Sequence, residues 1–501
     1  MTGARFLQLN PLDDVAIALD DAAAGDAAFG VRAAQAIPQG HKIALRAIAA
    51  GAAVRKYGQI IGCARTAIAP GAHVHVHNLA MTDAPRPAEY GADVRAPAAP
   101  TGAQFSGFVR PDGRVGTRNV IGVLTTVNCS ATVARRVADH FTPERMAAYP
   151  HVDGVAAFTH HGGCGVSATG DDAALLNRTL AGYARHPNFA GVVIIGLGCE
   201  VNQIERLFDE AGLAPGPMLQ PIAIQEAGGT LKAIERGAAI VREMAQEADK
   251  ARRQMVSAAH LTVGLQCGGS DAWSGVTANP SLGAAVDLLV AEGGAAILSE
   301  TPEIYGAEHL LLRRAMSPEV AEKLSARIAW WQAYVARHGA DLNNNPSPGN
   351  IQGGLTTILE KSLGAVAKSG GAALSDVLLY AEPLRRNGFV FMDSPGYDPC
   401  SATGQIASGA TLIAFTTGRG SVFGSKPAPC LKLASNARLA MHMDDDIDID
   451  CAPVLSGASL ESMGELIFAR MLEVASGART KSEALGVGDH EFVPWRLGAW
   501  L

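Results

Sequence analysis

The sequence predicts an α/β protein in which a small β-rich unit precedes a large body, and three observations carry the prediction. Between residues 120 and 298, continuous apolar runs alternate with helical patterns, as in a mostly parallel sheet covered on both faces. Residues 1–82 carry shorter apolar stretches between glycine turns, which suits turn-linked strands. Pro85, Pro87, Pro97 and Pro100 fall within residues 83–104, an extended linker between the two.

Taken in order, residues 15–19, 42–46, 51–58 and 71–77 read as strands of the first unit. The last alternates with period two, so His73, His75 and His77 are expected on one strand face. Apolar runs at 120–127, 154–158, 191–197 and 261–265 are expected strands of the body, with helices near 133–141, 171–185, 204–211 and 281–292 and a further strand at 295–298. Strand-like runs at 388–392 and 411–416 continue the pattern. The division expected is 1–82, linker 83–104, an α/β domain over 105–335 and a C-terminal α/β domain over 336–501.

Composition bounds the function. With 41 Lys+Arg against 48 Asp+Glu, the net charge is −7, and no basic cluster occurs, so nucleic acid and anionic membranes are disfavoured as partners. No uncharged apolar run approaches the ~20 residues of a membrane span. The N-terminus does not read as a signal peptide, and eight cysteines in 501 residues point to free thiols in a reducing cytoplasm. There is no phosphate loop and no dinucleotide fingerprint. The run Asp444-Asp-Asp-Ile-Asp-Ile-Asp450 lacks the glycine and glutamate of a calcium loop and reads as a solvated acidic strand face. The aromatic tail Phe492-Val-Pro-Trp495-Arg-Leu-Gly-Ala-Trp500 reads as a segment that docks on its own body or on a second subunit, and a homodimer is expected.

Four cysteines, Cys129, Cys164, Cys199 and Cys267, each follow a strand-like run among glycines or small residues. Because ligands of open parallel sheets bind beyond the carboxyl strand ends, these thiols are candidates for one metal or iron–sulfur centre; the competing reading is packing. Cys63, Cys400, Cys430 and Cys451 show no such pattern. The histidine face at 73–77 offers two or three imidazoles to a divalent metal or is a solvated polar face. His160 is placed for a base or ligand. Arg118 and Asn119, and Arg419 with Lys426, stand among glycines where a guanidinium fork suits a carboxylate or phosphate.

The segments Gly40-His41-Lys-Ile-Ala-Leu45, Lys56-Tyr-Gly58, His73-Val-His-Val-His-Asn78, Gly196-Leu-Gly-Cys-Glu200, Gly268-Gly-Ser-Asp-Ala-Trp-Ser-Gly-Val-Thr-Ala-Asn-Pro280, Asn345-Pro-Ser-Pro-Gly-Asn350 and Thr417-Gly-Arg-Gly420 resemble the altronate/galactarate dehydratase family over essentially the whole chain. The first ~80 residues are similar to its SAF-type β domain. The resemblance implies loss of water from an aldonate or aldarate to give a 2-keto-3-deoxy acid, with dependence on ferrous iron. Some relatives instead eliminate sulfite from sulfolactate with the SAF-like part as a separate subunit; fusion here favours the dehydratases. A sugar-acid sensor keeping the same fold is the alternative from another class.

That chemistry needs a carboxylate clamp, a metal and a base. Arg118, Asn119, Arg419 and Lys426 are assigned to substrate. His160 or a histidine of the 73–77 strand is assigned as base or metal ligand, with Lys42 and Tyr57 as secondary acid/base groups. The metal is expected on His75 and His77 or on His160, or as a [4Fe-4S] cluster on three of the four strand-end cysteines.

Overall fold

The computed structural model describes residues 3–82 and 89–498; Pro85, Pro87 and Trp500 lie outside the described residues. Residues 3–82 form the β-rich unit. Strands Phe6–Leu7, Val15–Ala18, Lys42–Ala44 and His73–Val74 make one antiparallel sheet, and Ala53–Lys56, Gln59–Ala64 and Leu79–Ala80 another. Tyr57 and Gly58, both at positive φ, form the two-residue turn between the paired Lys56 and Gln59. The strand expected over 71–77 stops at Val74, and a turn carries His75 to Asn78. The Asn78 side chain holds that turn, accepting from the His75 N–H and donating to the His73 carbonyl.

In the body, β1 (Val120–Thr125), β2 (Gly154–Phe158), β3 (Phe189–Gly196) and β4 (Leu219–Ala223) form a parallel sheet in the order β2-β1-β3-β4. A second parallel sheet contains β5 (Thr262–Cys267), β6 (Ala295–Leu298), β7 (Leu374–Leu378), β8 (Gly388–Met392), β9 (Leu412–Thr417), β10 (Cys430–Ala434) and β11 (Ile449–Asp450), in the order β7-β8-β6-β5-β9-β10-β11. The boundary expected at 335/336 therefore runs through this second sheet. The body divides between β4 and β5, because β5 and β6, which pair with each other, find their other strand partners in β9 and β8, beyond residue 336. The acidic run 444–450 is mostly a turn leading into β11, with Ile447 and Ile449 buried rather than alternating on a solvated strand.

The covering helices are α1 (Ala131–Asp139), α2 (Asp171–Ala184), α3 (Thr230–Ala248), α4 (Ala278–Ala291), α5 (Ile358–Ala367), α6 (Asp398–Ser408) and α7 (Leu460–Ala475). Side chains of β1 alternate between two cores: Ile121 and Val123 meet α1 and α3, whereas Val120 and Leu124 face α2 and α6. The inner core continues to Ile297, Val390 and Ile413 of the second sheet. On that sheet's far side Val263 and Leu265 join the core containing α4 and α7. The order of layers is helices, sheet, helices, sheet, helices. The tail docks on its own chain. Phe492 meets Phe158 and Tyr183, and the Trp495 ring stacks on Trp331 at 5.5 Å, which removes the tail as a ground for expecting a homodimer.

A buried ion cluster fixes the β-rich unit to the body. Glu360 on α5 accepts from Lys42 Nζ at 2.9 Å and Lys56 Nζ at 2.8 Å, and all three side chains are buried. Lys42 also donates to the Gly354 carbonyl at 2.7 Å. Burial opposes the Glu360 charge, but the two ammoniums hold its carboxyl far below the usual range. Burial pushes Lys42 down to about 8, while Lys56, equally buried, is held above the ordinary lysine range by Glu360. Removing the shared carboxylate leaves two buried lysines unpaired. Glu360→Ala is expected to cost about 3–5 kcal/mol in urea unfolding; a loss below about 1 kcal/mol would show the cluster to be dispensable.

Candidate active site

A cleft of about 710 Å3 opens between the β-rich unit and the carboxyl edge of the second sheet. Strand β5 runs out into Gly268–Asp271 and β9 into Gly418–Arg419, and the two turns are tied together. The Gly269 carbonyl accepts from both the Gly418 N–H and the Arg419 N–H. Asp271 is buried beneath them, accepting from Trp273 N–H, Ser274 N–H, Ser435 Oγ and Asn436 Nδ2. A Cβ at Gly418 would lie 2.2 Å from the Asp271 carboxyl carbon, so only glycine permits this approach. Asn350 Nδ2 donates to the Ser270 carbonyl at 2.7 Å. This fixes the short helix Pro348–Gln352, whose Gln352 side chain accepts from Arg419 Nη2 at 2.9 Å. Arg5, Arg438 and His442 also line the cleft.

Three imidazoles meet beside it. His41 Nδ1 and His73 Nε2 are 3.0 Å apart, and the His41 and His75 rings are centred 4.6 Å apart. One nitrogen of each of His41, His73 and His75 lies within 4.8 Å of the others. His75 Nδ1 is buried and has no hydrogen-bond partner among the described residues. Burial pushes His73 down to about 4 and His75 to about 3, and the Lys42 charge adds to both shifts. Neutral imidazoles with an orphan nitrogen suit a divalent transition ion. The expected pair His75/His77 is thus replaced by a trio. The turn after Val74 leaves His77 exposed, its ring 5.4 Å from that of His73, and His41 completes the group.

The other candidates scatter. Arg419 is in the cleft. Arg118 is buried 2.6 Å from Glu483 and donates to the carbonyls of Thr117, Val474 and Ala478, so its guanidinium is a brace. Asn119 donates to the His151 and Ala248 carbonyls and accepts from Arg110. Lys426 pairs with Asp489 near the tail. Buried His160 engages the Thr125 carbonyl through Nε2 and the Gly162 N–H through Nδ1; both ring nitrogens are spent on backbone. Lys42 spends its donors on Glu360 and Gly354, and Tyr57 has its ring 4.8 Å from Lys56 Nζ. The four strand-end cysteines do not share one centre. Cys129, Cys164 and Cys199 are exposed beyond β1, β2 and β3 of the first sheet, whereas Cys267 is buried at the end of β5 in the second.

The segments Gly40–His41, Gly268–Pro280 and Thr417–Gly420 contribute to the cleft lining, while His73–Asn78 contacts it through His41 and Asn345–Asn350 through Ser270, and comparison with known proteins identifies what they share. Profiles for "Altronate/galactarate dehydratase SAF domain", "D-galactarate dehydratase/Altronate hydrolase, second domain" and "D-galactarate/Altronate dehydratase, C-terminal" match residues 4–82, 107–249 and 258–500 in turn. The chain belongs to the galactarate/altronate dehydratase family. It is 35% identical over 487 residues to an altronate dehydratase of Escherichia coli (strain K12), covering 96% of this chain and 97% of that one. A galactarate dehydratase (L-threo-forming) of the same organism is 36% identical over 489 residues, 95% and 94% of the two chains. The (2R)-sulfolactate sulfo-lyase subunit beta of Chromohalobacter salexigens is 35% identical over 400 residues, 79% of this chain and 98% of that subunit. The family's internal boundary, between 249 and 258, falls between the two sheets.

His160 and His186 are fully buried, each with both ring nitrogens hydrogen bonded, and burial pushes both down to about 4. The ordinary histidine value is 6.5. Between about pH 6.5 and 4 the unfolded chain binds protons that the folded chain does not, so stability falls as pH falls through that window. The unfolding temperature is expected to drop from pH 7 to pH 4.5, with a shallower slope in His160→Asn. An unchanged slope in that variant would contradict the assignment.

Proposed function

We propose that this family member dehydrates a sugar acid, an aldonate or aldarate such as altronate or galactarate, to a 2-keto-3-deoxy acid. One observation carries the reading: His41, clustered with His73 and His75, lines the same cleft as the Arg419 guanidinium, a cleft of a size suited to a small molecule. The relatives' names support the substrate class. Eight free thiols support a reducing compartment, and no described helix is long and apolar enough to cross a membrane.

The reaction breaks the C2–H bond, uses that electron pair to form C2=C3, and releases the C3 hydroxyl as water after it gains a proton. The resulting enol takes a proton at C3 to give the 2-keto acid. His41, His73 and His75 would hold the ferrous ion that the family reading implies. When bound it supplies Lewis-acid polarisation of carboxylate and hydroxyl oxygens. Arg419, oriented by Gln352, clamps a substrate carboxylate, and Arg438 and Arg5 supply cations for the rest of an anionic chain. The proton-transfer role falls to His442, a cleft imidazole outside the trio, because Lys42 spends its donors on Glu360 and Gly354. Arg118, Asn119, Lys426 and His160 spend polar groups on partners outside the cleft, and no role in the step is assigned to them.

Anaerobic incubation with ferrous iron and either galactarate or altronate should release 2-keto acid, whereas sulfolactate should release no sulfite. Failure across aldonates and aldarates overturns the reading, and sulfite release would move it to the sulfo-lyases. Arg419→Ala should lower kcat/KM roughly 10–150-fold, the loss of a charge-assisted contact of about 1.5–3 kcal/mol. His75→Ala should lower bound iron, and His442→Gln should lower kcat with iron content unchanged. Unaltered kinetics in all three would place the chemistry elsewhere.

A further inference from the structure

We propose that Cys267, Glu300 and Glu303 form a second divalent-metal site, separate from the imidazole trio and suited to a first-row transition ion. Strands β5 and β6 lie side by side, and their carboxyl ends deliver the donors. Cys267 ends β5, and Glu300 and Glu303 follow β6 within five residues. One ligand atom from each lies within 4.8 Å of the others, and Cys267 Sγ is 3.8 Å from Glu303 Oε2. An ion with bonds of about 2.3 Å to sulfur and 2.0–2.2 Å to oxygen can bridge a sulfur and an oxygen up to about 4.5 Å apart, and the Cys267–Glu303 pair at 3.8 Å meets that limit. A thiolate beside carboxylates selects a borderline ion over magnesium or calcium.

An independent observation points to a missing ligand. Glu300 is 1% exposed, and neither of its carboxylate oxygens has a hydrogen-bond partner among the described residues. Its backbone is left-handed, with φ at 71°, a strained conformation that persists only where the surroundings enforce it. Burial first, then the Glu303 and Asp398 charges, push its carboxyl well above the usual range.

The local charges leave room for two positive units. Asp398 closes the same corner: a Cβ on Gly268 would lie 2.3 Å from its Oδ2. Lys368 Nζ is 2.9 Å from Cys267 Sγ, and Lys361 Nζ is 2.8 Å from Glu303 Oε1. With Cys267, Glu300, Glu303 and Asp398 all ionised, the state a bound dication favours, four anions face two ammoniums, and the dication brings the buried corner to neutrality. Because Cys267 leads directly into Gly268 and Gly269, whose carbonyl holds the Arg419 backbone, an ion here would also stiffen one wall of the cleft. The inference stands apart from the dehydratase reading.

Chelator-stripped protein titrated anaerobically with Co2+ should show a thiolate-to-cobalt charge-transfer band. The band should persist in the double variant His73→Ala/His75→Ala and vanish in Cys267→Ser. Glu300→Gln, which keeps the side-chain volume, should weaken cobalt binding at this site roughly tenfold or more, with circular dichroism reporting an intact fold. The site is refuted by absence of the band in wild type or its survival in Cys267→Ser. Unchanged cobalt affinity in Glu300→Gln also refutes it and assigns the neutralising charge to a proton.

Discussion

The geometry of the cleft depends on one buried carboxylate. Glu360 joins α5 of the body to Lys42 and Lys56 of the β-rich unit, and His41 immediately precedes Lys42 in the chain. Without that attachment, the three imidazoles would not face Gln352 and Arg419. Two ammoniums sharing one carboxylate in a dry interface leave a net positive charge, and that charge has a second effect. Burial disfavours protonation of His41, His73 and His75, and the Lys42 charge adds to it, so the lysine that docks the unit also helps keep its imidazoles available as donors. The next residue, Lys361, reaches the opposite way to Glu303. One turn of α5 thus holds the electrostatics of two neighbouring sites.

Much of the fold was legible because its signals are local. The apolar runs that became β1, β2 and β3, and the helices at 171–184 and 204–211, are written as uninterrupted hydrophobic stretches and 3.6-residue periods. What could not be read was which strand pairs with which. Nothing in residues 262–298 announces that β5 and β6 pair with strands roughly 90 to 150 residues later, so the division at 335 cut a sheet that tertiary pairing makes whole.

The site was legible unevenly, for the same reason. Arg419 sits among glycines and reaches the cleft, while Arg118, two residues after a glycine, braces Glu483. Spacing alone does not separate a guanidinium offered to a ligand from one saturated by carbonyls. The histidine strand was visible as an alternation, yet Asn78 bends the chain after Val74 and excludes His77. His41 lay within a recognised segment but 32 residues from His73, and Glu360 carried no motif at all. The four strand-end thiols looked equivalent because each ends an apolar run; their assignment to two different sheets is a property of topology.

The middle helical layer has a temporal consequence. The first sheet is complete when β4 has been made, but α6, which covers part of its inner face, follows about 175 residues later, and Phe492 later still. At a synthesis rate of 5–20 residues per second, that apolar face waits roughly 9–35 s for α6. Throughout that interval the nascent chain carries a sheet whose inner face is covered by α2 but still lacks α6, a natural substrate for ribosome-associated chaperones. Residues made long after the first sheet are therefore the ones that seal its core.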